Sequence, residues 1–329
     1  MKIASLFATA LLFFAGPVAS QTSSEIYSAA CIEEIGAIPV FDCDAGVVVP
    51  VTVDGVRVSD HAPPLCDHPA LLSNGADSDG QCVPHSRILN LSTDTAQVSV
   101  MCRQKLYRAP DSTDYDEIDV IAHNPDTGAT CWFQAKADAE TPVSGLQVPS
   151  PTSAIDGSFW AEPERVASDG CGFCHDNDPF MYSPFVGQVW SHVPVNPFGP
   201  YAHVDPGGIF ADWPTTVMNM RDNTCTGCHR IGSGQLGAEG PWGTEKPGTC
   251  GQLADWMTGQ QIPEGADSRA ATYPGSHAMP PGFGETEAAW NVIYAEATSM
   301  VKSCCSDPEQ AICSLTPIQS YLDEIYSKR

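Results

Sequence analysis

Cys171-Gly172-Phe173-Cys174-His175 and Cys225-Thr226-Gly227-Cys228-His229 are two copies of one pattern, Cys-x-x-Cys-His, and the rest of the chain is read outward from them. The spacing has a chemical reason. Thiols three positions apart lie on one turn of backbone. Cys171 with Cys174, and Cys225 with Cys228, can therefore form thioethers with the two vinyl groups of a single porphyrin. The adjacent imidazole, His175 or His229, then lies under the iron as proximal ligand. One such pentapeptide in a cysteine-rich chain is weak evidence; its duplication predicts two covalently bound haem c groups. Zinc is the competing use of such pairs, but zinc ribbons usually space them about 15–20 residues apart. Here Cys174 and Cys225 enclose 50 residues. A thioredoxin-like redox pair needs a βαβ setting, which neither pair has.

Export fits this reading. Residues 1–20 have the form of a signal peptide: Lys2, an apolar run over 3–15, and Val18-Ala19-Ser20 for cleavage before Gln21. The run is too short to span a membrane, and no later stretch reaches the roughly 18 apolar residues a span needs. No Cys follows the cleavage position, which speaks against a lipoprotein anchor. The mature chain is expected to be soluble and exported, either periplasmic or extracellular. The other cysteines are Cys31, Cys43, Cys66, Cys82, Cys102, Cys131, Cys250, Cys304, Cys305 and Cys313. Their even number in an exported chain predicts disulfides. Spacing leaves their connectivity open. An even count on each side of the motifs predicts that each part is stapled separately.

The charge balance is acidic, 15 Lys+Arg against 40 Asp+Glu, with no basic block. Such a surface repels nucleic acid and anionic membranes, and suits a partner with a basic docking face.

The pattern along the chain predicts an α+β protein: an N-terminal, disulfide-stapled β-rich domain, then a mainly α-helical, loop-rich dihaem part. We divide it into 1–20 (signal), 21–148 (β-rich), 149–211 (first haem segment) and 212–329 (second haem domain). Val47 to Val53, Asp54-Gly55 and Val56 to Val58 read as a hairpin with its turn. Gln97 to Met101, Ile118 to Ala122, and the stretch through Cys131-Trp132-Phe133 read as strands, the last preceded by a turn at Asn124-Pro125-Asp126-Thr127-Gly128. The acidic loop 73–80 has calcium-like Asp spacing but lacks the glutamate that closes an EF-hand. Thr141 to Ser153 reads as a linker. Helices are expected over Phe159 to Ala167, Asp212 to Met220, Gly251 to Gln260, Glu285 to Cys304 and Pro317 to Tyr326. Cys250 and either Cys304 or Cys305 are placed to clamp two of these together.

From Asp212 onward the layout resembles a class I cytochrome c: a helix into Cys225-Thr226-Gly227-Cys228-His229, a middle helix, a Met-Pro loop at Ser276-His277-Ala278-Met279-Pro280, and a long C-terminal helix. The resemblance implies Met279 as distal ligand of the second haem, with His277 as its rival. For the first haem no Met-Pro occurs between the motifs. His203 and His192 are the favoured distal ligands, with Met181, Met218 and Met220 as further candidates. His61, His68, His85 and His123 fall beside turns in the N-terminal part. They are set aside unless that part packs against the first haem.

Two covalent haems in an exported chain are expected to carry electrons between redox partners. A His/Met second haem would sit at higher potential than a bis-His first haem, which gives the pair a direction. The alternative is a dihaem oxidoreductase, peroxidase- or oxidase-like, with one open haem site. No acid/base pair beside either motif makes that case, so no catalytic residue is assigned. A third role, docking, falls to the β-rich part.

Overall fold

The computed structural model describes residues 22–68, 70, 80–137, 141–153, 158–169, 171–173, 175–181, 184–194, 199–213, 215–227, 230–232 and 287–319. The chain is a mixed α+β protein whose β-rich, disulfide-stapled part carries the first motif on one sheet face.

The described chain opens with helix α1 (Ser23–Ile35). Its start is a capping box: Thr22 Oγ1 accepts from Glu25 N at 3.2 Å, and Glu25 Oε2 accepts from Thr22 N at 2.8 Å. Gly36 ends it at φ +77°, a conformation glycine takes without strain. The sequence pattern includes this stretch in a β-rich part and predicts no helix for it. The Thr22-x-x-Glu25 box was the signal that marked a helix.

Strands β1 (Val47–Val48), β2 (Val51–Val53) and β3 (Val56–Val58) follow. Asp54 and Gly55 both take positive φ between β2 and β3, the two-residue hairpin that Asp-Gly favours. Next come β4 (Arg87–Asn90), β5 (Gln97–Arg103), β6 (Asp114–Tyr115), β7 (Glu117–His123), β8 (Ala129–Lys136) and β9 (Val143–Ser144). The three central strands expected from the sequence are all present. Helices α2 (Pro163–Ser168) and α3 (Pro184–Gly187) precede β10 (Ala202–His203), and β11 (Thr216–Met220) leads to the second motif. Helix α4 (Glu287–Ser306) and β12 (Cys313–Pro317) close the described chain. The main sheet has the order β1-β4-β5-β7-β8-β10, antiparallel except for the parallel β8–β10 pair.

Side chains alternate across a strand. On one face of β8, Cys131 is bonded to Cys31 of α1, and Phe133 meets Tyr27 and Trp160. On the other face, Thr130 and Trp132 look toward the first motif. Further disulfides join Cys43 to Cys102, Cys66 to Cys82 and Cys304 to Cys313. The N-terminal six therefore pair among themselves, as the count predicted, in the manner of an oxidising extracytoplasmic compartment. Cys304 pairs with Cys313, which removes it from the clamp expected with Cys250; Cys305 is disulfide-bonded too, and Cys250 lies outside the described residues.

Several local expectations are corrected. Thr141 to Ser153 is no linker: Phe41 and Val148 exchange backbone hydrogen bonds, Ile38 N donates to Thr152 Oγ1, and Trp160 Nε1 donates to Pro149 O. Its Pro and Ser composition signalled flexibility, but its polar groups are paired. Trp160, Val166, Tyr201, Phe210 and Trp213 share one hydrophobic core with α1 and the sheet. Residues 216–220 are a strand, not a helix, because they pair with 313–317 in register from Thr216↔Pro317 to Met220↔Cys313. Of the helix expected over Pro317 to Tyr326, Pro317 ends this ladder, Ile318 and Gln319 are helical, and the rest lies outside the described residues. The helix expected over 285–304 is α4. The 251–260 helix and nearly all of the 73–80 loop fall outside the described residues. Among the described residues, no helix is long and apolar enough to cross a membrane.

Candidate haem centre

Both motifs begin in the same local form. Cys171–Phe173 and Cys225–Gly227 are each a single 3-10 turn. At the first, His175 N donates to Cys171 O at 3.0 Å, which sets the imidazole one turn beyond the cysteine. At the second, Asn223 Oδ1 accepts from Cys225 N at 2.9 Å, and Asn223 Nδ2 donates to Ala297 O at 2.8 Å, fixing the turn to α4. Cys171 is half-buried and Cys225 buried. Neither is among the disulfide-bonded cysteines, which among the described residues are Cys31, Cys43, Cys66, Cys82, Cys102, Cys131, Cys304, Cys305 and Cys313.

His175 rests on an aromatic platform. Its ring centroid lies 5.0 Å from that of Trp132, edge to face, and Tyr201 Oη donates to the His175 carbonyl. Trp132 packs in turn on Trp213 at 5.4 Å, and Trp213 packs on Phe210 at 4.9 Å. Gly172 admits this packing, because a Cβ there would strike the Trp213 ring. Burial pushes the His175 imidazole down to about 4, against the backbone of Asp178 and Pro179, so it is neutral. Its Nδ1 is buried with no hydrogen-bond partner. His175 is thus a buried, neutral imidazole one turn from Cys171, the two donor types that covalent haem attachment uses.

The chain just after each motif meets its counterpart. Arg230 Nη2 lies 3.6 Å from Asp178 Oδ2, Asn177 Nδ2 donates to Arg230 O, and Arg230 Nη1 donates to Gly199 O at 2.7 Å. Gly232 is pressed against the Asp176 carboxylate so closely that a Cβ would overlap it. Thr216 N donates to Asp176 O at 3.0 Å, and Met218 N to Ile231 O at 2.6 Å. The residues that follow the first motif therefore pack against those that flank the second.

The distal candidates divide. His203, on β10, accepts from Trp132 Nε1 at Nδ1 over 3.1 Å. Indole N–H is only a donor, so the proton of a neutral His203 sits on Nε2 and no lone pair is offered there. His192 is exposed on a short 3-10 turn. Met218 and Met220 are buried with Cys225, Ile231, Ala297 and Val301, beside the second motif rather than the first. Met181 is partly exposed. Cys174, Cys228, His229, His277 and Met279 lie outside the described residues. His123, set aside by sequence reading, is fully buried between Phe180 and Tyr201. Its place on the sheet face depends on β7–β8–β10 pairing, which no local pattern reveals.

No protein-family model, curated protein or solved structure matches this chain.

Proposed function

We propose that the chain is an exported dihaem c-type cytochrome that carries electrons between redox partners. The observation that carries this reading is the duplicated Cys-x-x-Cys-His pattern, with the residues after one copy packed on those after the other. Cys171 and Cys174 would hold one haem with His175 beneath it; Cys225 and Cys228 would hold the second with His229. Met279, or His277, would complete the second site in a cytochrome c-like C-terminal part. Bound haem supplies a reversible one-electron ferrous–ferric couple.

The chain's own residues do the rest. Arg230, Asp178 and Asn177 fix the separation of the motifs. Trp132, Tyr201 and Trp213 hold His175 in one orientation and keep water from it. The disulfides hold the sheet beneath this site rigid. The acidic surface steers the chain toward a partner with a basic docking face.

The test is expression with its signal in a host that attaches haem c. Intact mass and the alkaline pyridine spectrum are expected to give two covalent haems per chain, falling to one in Cys171→Ser/Cys174→Ser. A redox titration is expected to give two unequal midpoints. A chain that leaves such a host without covalent haem would sink the reading.

A further inference from the structure

The orientation of one buried histidine goes beyond that reading while resting on it. His123, Thr130 and His203 form a row across β7, β8 and β10, His123 paired with Thr130 and Thr130 with His203. Thr130 Oγ1 donates to Gly128 O at 3.0 Å, so its only proton is committed. It therefore accepts from His123, whose Nδ1 lies 2.9 Å away. This puts the His123 proton on Nδ1 and leaves the lone pair on Nε2. That nitrogen is buried, on a residue 0 % exposed, and has no hydrogen-bond partner. A buried acceptor left unmet costs on the order of 1–3 kcal/mol, which calls for an explanation.

Iron-ligating imidazoles have this arrangement: one ring N–H given to a fixed acceptor, the other nitrogen held bare for the metal. The surroundings agree. Phe180, five residues beyond His175, meets the His123 ring edge-on at 6.1 Å between centroids. Tyr201, whose hydroxyl holds the His175 carbonyl, lies 6.5 Å from it. The same row shows the opposite tautomer at His203.

We propose that His123 Nε2, delivered by the β-rich part, is the distal axial ligand of the haem attached through Cys171 and Cys174. The first haem is then gripped from two distant parts of the chain. The β-rich part completes the centre instead of merely docking it.

The experiment uses the full-length oxidised protein after haem attachment. Near-infrared magnetic circular dichroism of the unaltered protein should show at least one haem with a His/His axial pair. His123→Gly should convert one of the two haems from low to high spin and let the reduced form bind one carbon monoxide per chain. Added imidazole should restore the low-spin signal. His203→Ala and His192→Ala should leave it unchanged. In Cys171→Ser/Cys174→Ser, which keeps only the second haem, the His123 change should be spectrally silent.

Two low-spin haems persisting in a His123→Gly protein with unaltered haem content would overturn the assignment. So would a spin change in the single-haem form, or no His/His pair in the unaltered protein. Absence of covalent haem from the starting protein would instead fail the cytochrome reading. Haem content and spin state thus separate the two.

Discussion

Arg230 and Asp178 form a buried ion pair that joins the residue following one Cys-x-x-Cys-His copy to the third residue following the other, with Nη2 and Oδ2 3.6 Å apart. The Arg230 side chain is 2 % exposed and that of Asp178 15 %. Burial raises the Asp178 pKa, and a backbone bond to Phe180 with the Arg230 charge opposes it. Such a pair contributes less to net stability than its geometry suggests, because both ions lose water. Its effect is placement: a charge left alone here is expensive, so the two segments stay together.

Removal of the cation tests this. Arg230→Ala leaves Asp178 buried and also removes the bond to Gly199 O. The expected loss is on the order of 3–5 kcal/mol in urea unfolding. Asp178→Asn, which keeps an acceptor for Phe180 N, should cost less. Equal and small losses from both would show that the pair does not hold the motifs.

The disulfides should rank by the loops they close. Cys31–Cys131 spans 100 residues and Cys304–Cys313 spans 9. On the chain-entropy account these give roughly 4.7 and roughly 2.6 kcal/mol. Cys31→Ser/Cys131→Ser is therefore expected to lower Tm more than Cys304→Ser/Cys313→Ser. The reverse order, from calorimetry at one pH, would place the main stapling in the C-terminal part.

What the sequence reveals here depends on distance along the chain. The Asp54-Gly55 hairpin is legible because its turn chemistry and both strands lie within a few residues. The cysteine parity is legible because redox compartment acts on the whole chain. Strand 216–220 is not, because its partner lies about a hundred residues on. Its local pattern predicts a helix from Asp212, which tertiary pairing overrides. His123 was discounted for the same reason: only the pairing of β7, β8 and β10 brings it to the face that carries His175.

Gly128 bears on that face directly. It has φ +82°, and a Cβ would fall 2.5 Å from the Pro200 carbonyl carbon and 2.6 Å from Tyr201 N. Its carbonyl accepts from Ala202 N and from Thr130 Oγ1. Gly128→Ala combines backbone strain with a clash that flexible side chains cannot relieve. We expect ~1–3 kcal/mol of lost stability, together with faster amide hydrogen exchange at Ala202 and Val204, the donors of the β8–β10 pair. Unchanged exchange there would show that β10 stays docked without this close approach.

Asp119 gives the pH dependence. Burial, and then the neighbouring Glu117 charge, push its carboxyl from 3.8 up to about 8. Burial works against the Glu117 charge as well, but Lys105 and Arg103 outweigh it and hold that group ionised. Gln134 Nε2 donates to both acids, at 2.6 Å to Glu117 and 3.1 Å to Asp119. Between about pH 4 and pH 8 the folded chain keeps a proton on Asp119 that the unfolded chain has released. The contribution of this group to stability is thus complete at low pH, falls as pH rises through the window, and is gone above it. Asp119→Asn keeps an uncharged side chain of the same shape with no proton to lose. Urea unfolding of the two proteins from pH 4 to 9 should therefore show the variant gaining on the parent as pH rises, with the difference levelling above pH 8. Parallel curves across that range would mean that Asp119 is ionised in the folded chain and keeps no extra proton there.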